Sequence, residues 1–218
     1  MRRRAAAVTN DLPMVLQMVR DRGHRVFTSG EYNLNIVGVR SAHNGTNRFD
    51  DELHVVYRDH RGQWVDLSFE CTTDPGLYYL QNPMNVNGTA ILKPGQYRGS
   101  HKIGLHRGQY TALVQVGPVT VYRDRNRDSV MQLDPDSEAS GVYGINVHHA
   151  GSTERDAVDR WSAGCTVISN LAEWEIFLSV VRRSAERYGD RFTYTLIDSA
   201  CSGCGESLCE NKQGESNA

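Results

Sequence analysis

The chain has 218 residues, of which 39% are hydrophobic and 23% are charged, and its formal net charge is −2. This length is enough for one well-buried core and argues against two full domains. The balanced charge gives no support to a nucleic-acid partner, and no run approaches the roughly 18 to 20 apolar residues that a membrane-spanning helix needs.

The first 30 residues predict a short N-terminal helical element. The chain starts with the positive charge of a secretory signal at Arg2-Arg3-Arg4, but the apolar run Ala5-Ala6-Ala7-Val8 is shorter than the roughly 7 to 15 residues of a signal core. We therefore expect synthesis in the cytoplasm without a signal peptide. Within residues 11–20, Asp11 is placed to cap a helix whose apolar positions 12, 15, 16 and 19 share one face.

Residues 31–198 predict one mainly β domain with peripheral α-helices. Apolar runs bounded by turn residues indicate strands at 32–39, 54–57, 64–69, 110–116, 119–123, 141–148 and 192–197. The second and third of these strands should pair as a hairpin. Apolar residues at helical spacing predict the longest helix at 171–188. His101 and His106 are assigned to a strand and a turn.

The last residues, 199–218, predict a disordered tail because their composition is mainly Ser, Gly, Glu, Asn and Cys. The tail contains Cys201, Cys204 and Cys209, whose spacing resembles part of a zinc knuckle. A structural zinc site needs four ligands, and the tail offers no histidine. We therefore predict no metal site and no cofactor. Since the chain has five cysteines, a fully paired disulfide framework is impossible.

One stretch carries the residue types of nucleophilic catalysis. The segment Gly144-Ile145-Asn146-Val147-His148-His149 reads as the end of a strand, and Trp161-Ser162-Ala163-Gly164-Cys165 follows after a polar gap. A thiol attacks a carbonyl group efficiently only as the thiolate, and a neighbouring imidazole lowers the thiol pKa and serves as a general acid. Backbone N–H groups around Gly164 and Cys165 are candidates for an oxyanion hole, and the glycine lets the backbone pass close to the substrate.

These motifs resemble the catalytic domain of the L,D-transpeptidase (YkuD-like) family. The family is marked by a histidine at a strand end, a polar gap and then Ser/Thr-His-Gly-Cys, and Lys93-Pro94-Gly95-Gln96-Tyr97 is similar to its upstream Pro-x-Gly turn. The spacing is also similar to that of leaderless members encoded in phages and prophages. The resemblance implies a β-sandwich or barrel-like fold, with Cys165 as nucleophile and His148 as its histidine.

The resemblance also implies supporting residues and a substrate. Gly164 and Ser162 match the family motif, while Ala163 replaces its second histidine, so His149 is a candidate replacement. Arg160 and Tyr143 are candidate substrate contacts, the arginine as a clamp for a peptide carboxylate. The implied activity is acyl transfer on peptidoglycan stem peptides through a Cys165 thioester, with a phage-type lytic role at the bacterial cell wall.

Two other functions stay open. The first is a zinc-dependent amidase in which Cys165 and histidines are metal ligands. The second is a non-catalytic module that binds the cell wall or forms part of a virion. The sequence indicates no oligomeric state.

Overall fold

The computed structural model describes residues 6–42, 46–152 and 156–199. The arginine cluster at the N-terminus and the predicted tail with its three cysteines lie outside the described residues, except for Ser199 at the start of the tail. The strands are β1 (Ala6–Thr9), β2 (Asn35–Arg40), β3 (Asp51–Arg58), β4 (Trp64–Thr72), β5 (Thr89–Leu92), β6 (Gly95–His106), β7 (Tyr110–Gln115), β8 (Val119–Asp124), β9 (Ala139–Gly141), β10 (Val147–His149), β11 (Thr166–Ile168) and β12 (Arg191–Asp198). The helices are α1 (Met14–Asp21), α2 (Leu77–Gln81) and α3 (Leu171–Tyr188), with a 3₁₀ turn at Pro135–Ser137.

The main sheet closes on itself. Its strand order is β4-β11-β10-β7-β6-β12-β2-β3, and β3 pairs again with β4, which completes an eight-stranded barrel. β1 and β11 both pair with β4, β1 with its first half at residues 64–67 and β11 with its end at residues 71–72. A second, three-stranded sheet has the order β5-β8-β9. The prediction of a mainly β fold with peripheral helices is confirmed, and so is the hairpin formed by β3 and β4.

The long helix α3 lies at the predicted residues because its ends are well defined. The side chain of Asn170 accepts hydrogen bonds from the backbone N–H groups of Ala172 and Glu173, at 2.8 and 3.3 Å. Gly189, at φ 81°, ends the helix. The buried side chains of α3 belong to the main hydrophobic core, which they share with residues of the strands.

The N-terminal helix α1 packs on a separate, smaller core. Its buried residues Val15, Leu16 and Val19 lie with Trp64 and with apolar residues of β2, β3 and β12. These three are among the four predicted apolar positions. The helix begins after Pro13 without a side-chain cap, so the predicted capping by Asp11 is wrong. Within the described ranges, no helix is long and apolar enough to cross a membrane.

The strand predicted at 141–148 is two short strands in different sheets. β9 ends at Gly141 and β10 begins at Val147. Between them, the N–H groups of Tyr143 and Ile145 donate to the side-chain Oε1 of Gln115, at 3.0 and 2.9 Å. These two backbone N–H groups are therefore bonded to a glutamine side chain and not to a neighbouring strand. Over this segment the chain passes from the small sheet to the barrel.

Candidate active site

Two adjacent parallel strands position the predicted catalytic residues. In the β10–β11 pair, Val147 lies opposite Thr166 and His148 lies opposite Val167. Directly paired residues point to one face, so His148 and Val167 share a face, and Cys165, just before β11, packs with Val167 in one hydrophobic cluster. The histidine and the thiol are thus diagonal neighbours across one strand boundary, with His148 in the middle of β10 instead of at the end of a strand.

His148 is held as a neutral imidazole with its lone pair on Nε2. Its Nδ1 lies 3.0 Å from the backbone oxygen of His149 and 3.1 Å from Tyr110 Oη. A carbonyl oxygen only accepts, so Nδ1 carries the proton. Nε2 is buried and has no hydrogen-bond partner within the part of the chain that the structure describes. Burial, helped by the neighbouring His106, lowers the pKa of His148 to about 3.

Cys165 is held as a neutral thiol. It is only 7% exposed, and its Sγ donates to the carbonyl oxygen of Gly144 and accepts from the N–H of Asn146, both at 3.4 Å. Burial raises the pKa of this thiol to about 11, while the Asn146 N–H and the charge of Arg107 act in the opposite direction. The expected lowering of the Cys165 pKa by the imidazole is not found, because burial outweighs it. Because both groups are buried, the resting pair is neutral.

The turn before Cys165 is built by its own hydrogen bonds. The N–H of Gly164 donates to Ser162 Oγ at 3.1 Å, and this hydroxyl donates to the backbone oxygen of Cys165 at 2.8 Å. Gly164 has φ 119°, and a Cβ there would overlap the carbonyl oxygen of Ala90. Glycine is therefore required by the packing against β5, and its N–H is already bonded. The oxyanion role of the backbone N–H groups around Gly164 and Cys165 stays a prediction, and the Gly164 N–H is bonded to Ser162 Oγ in this structure.

His149, the predicted supporting residue, lies on the opposite face of β10. Its ring packs 4.5 Å from that of Tyr110 and 5.9 Å from that of Trp174 on α3, and its Nδ1 accepts from the N–H of Gly151 at 2.9 Å. Burial lowers its pKa. His149 thus supports the strand from behind, while its carbonyl oxygen fixes the proton of His148.

A pocket of about 300 Å³ opens onto the face of β10 that carries His148. It is lined by His106, Arg107, Gln109, Tyr110, His148, Arg160 and Trp161. Cys165 is not part of this lining, but it belongs to a hydrophobic cluster against which the lining residue Trp161 packs. A ligand held in this pocket would contact His148, one of the two candidate catalytic groups.

The two predicted substrate contacts have different positions. Arg160 lines the pocket, and its guanidinium lies 3.9 Å above the ring of Tyr78. The ring of Tyr143 is instead covered by the guanidinium of Arg123 at 4.4 Å, and it does not line this pocket. Arg107, which the sequence analysis did not single out, is a second cation on the lining.

The loop that carries Arg160 is held by hydrogen bonds to residues outside β10 and β11. The side-chain oxygen of Asn47 accepts from the N–H groups of Leu77 and Asp159, at 3.0 and 2.6 Å, and its amide donates to the Asp159 carboxylate at 2.8 Å. The N–H of Gly76 donates to the carbonyl oxygen of Ser162 at 2.9 Å. These contacts hold the wall of the pocket on the barrel.

Two histidines of β6 have different environments. His101 is buried inside the fold, where its Nε2 bonds to the carbonyl oxygen of Ile145 at 2.8 Å and burial lowers its pKa to about 4. His106, the last residue of β6, lines the pocket and its ring stacks on His148 with centroids 4.1 Å apart. The position of His106 before the Arg107-Gly108 turn was the available signal, but strand pairing was needed to place it beside His148.

The His, Cys, Asp and Glu side chains of the described residues do not favour a metal centre. Within residues 6–42, 46–152 and 156–199, no three His, Cys, Asp or Glu side chains come together in a group able to hold a metal ion. His148 and His149 also point to opposite faces of their strand. The described residues therefore provide no ligand set for the zinc alternative.

Comparisons with known proteins add no relative. No family model matches the chain, and no curated protein or solved structure matches it. The similarity to the L,D-transpeptidases therefore rests on the motif residues and their spacing.

Proposed function

We propose that the protein is a cysteine-dependent acyl-transfer enzyme that acts on peptidoglycan stem peptides. The observation that carries this proposal is the buried lone pair of His148 Nε2, which lies without a hydrogen-bond partner among the described residues, in the strand β10, whose parallel partner β11 begins directly after Cys165. A buried polar atom left unbonded costs about 1 to 3 kcal/mol, and a role in proton transfer would account for that cost at His148.

The chemistry starts from a neutral pair. The thiol proton of Cys165 points at Gly144 O in the resting state, so the side chain must turn before Nε2 of His148 can take that proton. Sγ then attacks the substrate carbonyl carbon, and the π electron pair moves to oxygen. Collapse of this intermediate expels the amine, which takes the proton from His148 and leaves a thioester. An incoming amine completes transpeptidation, and water completes hydrolysis.

The substrate class rests on the motif resemblance and on charge. Stem peptides carry carboxylates, and the pocket places the guanidinium groups of Arg107 and Arg160 on its lining. We further propose hydrolysis as the outcome and the bacterial cell wall as the place of action.

The covalent step can be tested by mass spectrometry. The protein, with Cys201, Cys204 and Cys209 changed to Ser, is exposed to a muropeptide or to a carbapenem, which resembles an acyl donor of the family. We expect one adduct that maps to Cys165 and is lost in Cys165→Ala. Cys71→Ala is the matched control, because Cys71 is also a buried free cysteine and should leave the adduct unchanged. An adduct on Cys71, or none at all, would contradict the proposal.

The reaction outcome needs a second assay. Purified sacculi are incubated with the protein, and released stem-peptide fragments and new cross-links are quantified by chromatography. We expect fragments with the parent protein and none with Cys165→Ala. New cross-links in place of fragments would show a transpeptidase. Binding to sacculi that survives Cys165→Ala, without turnover by the parent, would show the non-catalytic alternative.

A further inference from the structure

The pocket contains two stacked imidazole rings. His106 at the end of β6 and His148 in β10 have ring centroids 4.1 Å apart and planes inclined by 30°. Both rings line the same pocket. Each neutral imidazole has one nitrogen that donates a hydrogen bond and one that accepts. The hydrogen bonds around the two rings show which nitrogen does which.

The proton position on His106 follows from the backbone. The N–H of Gln115 donates to Asn146 Oδ1 at 2.8 Å, so the NH₂ end of this amide faces the other way. That end, Nδ2, lies 3.0 Å from His106 Nδ1. An NH₂ group only donates, so Nδ1 of His106 accepts, and in the neutral ring the proton is on Nε2.

The two rings therefore have opposite tautomers. His148 carries its proton on Nδ1, facing the carbonyl oxygen of His149, and has its lone pair on Nε2. His106 carries its proton on Nε2 and accepts at Nδ1. Burial and the nearby charge of Arg107 lower the pKa of His106, which keeps its ring neutral. The stacked pair thus offers one hydrogen-bond acceptor and one donor.

We propose that His106 is a catalytic residue whose Nε2–H donates to the substrate carbonyl oxygen as that oxygen becomes an oxyanion, with Asn146 as the positioning residue. The assignment rests on the proposed function. As the Cys165 thiol loses its proton to His148 and the S–C bond forms, the carbonyl π pair moves to oxygen, where this N–H stabilises it. Such a donor adds to the site, because the Gly164 N–H, one of the two backbone donors predicted around the thiol, is already bonded to Ser162 Oγ.

The test compares two reactions of the same thiol. Acylation by a carbapenem passes through an oxyanion, whereas alkylation by iodoacetamide displaces iodide at a CH₂ group and forms none. In His106→Phe, which keeps a ring on His148 but has no N–H, acylation should fall by about 10²- to 10³-fold. Alkylation should change by less than about threefold. His106→Gln, which restores an N–H donor, should recover part of the acylation rate.

Nuclear magnetic resonance of imidazole ¹⁵N tests the tautomers without any substrate. We expect His106 as the Nε2–H form and His148 as the Nδ1–H form at neutral pH, and Asn146→Asp should move the His106 proton to Nδ1 or protonate both nitrogens. A His106 that is Nδ1–H or doubly protonated in the parent would overturn the assignment.

The measurements distinguish a wrong role for His106 from a wrong proposed function. Equal losses of acylation and alkylation in His106→Phe, or no loss of acylation, would overturn the role of His106 alone. A parent protein whose Cys165 is alkylated but never acylated would overturn the proposed function, and the assignment with it.

Discussion

The pH dependence of Cys165 alkylation tests whether the resting pair is neutral. Burial raises the pKa of this thiol from 9.0 to about 11, so the folded state favours the protonated form. At pH 8 the thiolate fraction is then about 10⁻³, compared with about 10⁻¹ for a pKa of 9, because each unit changes the fraction tenfold. A thiolate–imidazolium pair would instead be largely ionised at pH 7.

The assay uses a protein in which the tail cysteines are Ser and Cys71 is Ala, so that one thiol remains. Pseudo-first-order rates of reaction with iodoacetamide are measured by mass spectrometry between pH 6 and pH 10. We expect the rate to rise about tenfold per pH unit with no plateau up to pH 10, and Cys165→Ser gives the background. A plateau below pH 8 would refute the reasoning, since it would mean that His148 already holds the thiol proton.

Three further predictions concern stability. Gly164→Ala places a Cβ against a backbone carbonyl at φ 119° and should lower the free energy of unfolding in urea by more than about 3 kcal/mol. Its control Gly62→Ala, at φ 75° with open space around it, should lower this free energy by about 1 to 2 kcal/mol. Equal losses would contradict the packing argument. Asn47→Ala removes three hydrogen bonds from the pocket wall and should cost about 2 to 3 kcal/mol while slowing acylation; an unchanged unfolding midpoint would contradict this role. Burial lowers the pKa values of His101 and His148 to about 4 and about 3. The free energy of unfolding is therefore highest above pH 6.5 and falls as the pH drops toward these values, because the unfolded state then binds more protons. In urea titrations from pH 7 to pH 4, His101→Gln should lose less stability than the parent, and an identical pH slope would show that the histidine is not neutral in the folded state.

Local sequence patterns predicted the parts of the fold that depend on neighbours along the chain. The helix at 171–188 was predicted to the residue, because its apolar spacing, Asn170 and Gly189 all act locally. The β3–β4 hairpin was predicted for the same reason. The strand at 141–148 was wrong because its hydrogen bonds go to the side chain of Gln115, and no local pattern indicates such a bond.

For the candidate site, the sequence singled out Cys165 and His148 and the turn that precedes the cysteine. Their catalytic roles stay predictions. His106 was assigned to a strand or turn instead of the site, because a histidine at the end of a strand looks the same in sequence whether it faces solvent or a pocket. Its partner His148 lies 42 positions further along the chain, and only the pairing of β6 with β7 and of β7 with β10 brings them together.

The sequence by itself thus determined the residue types of the chemistry, the two longer helices α1 and α3, and the mainly β character, since these follow from composition and short-range periodicity. Tertiary structure alone decided that the sheet closes into a barrel, that β10 and β11 are parallel neighbours, and that Gly164 serves packing. It also decided the protonation of the site. The pKa of a thiol and the tautomer of an imidazole depend on burial and on distant hydrogen-bond partners, which exist only after the chain has folded.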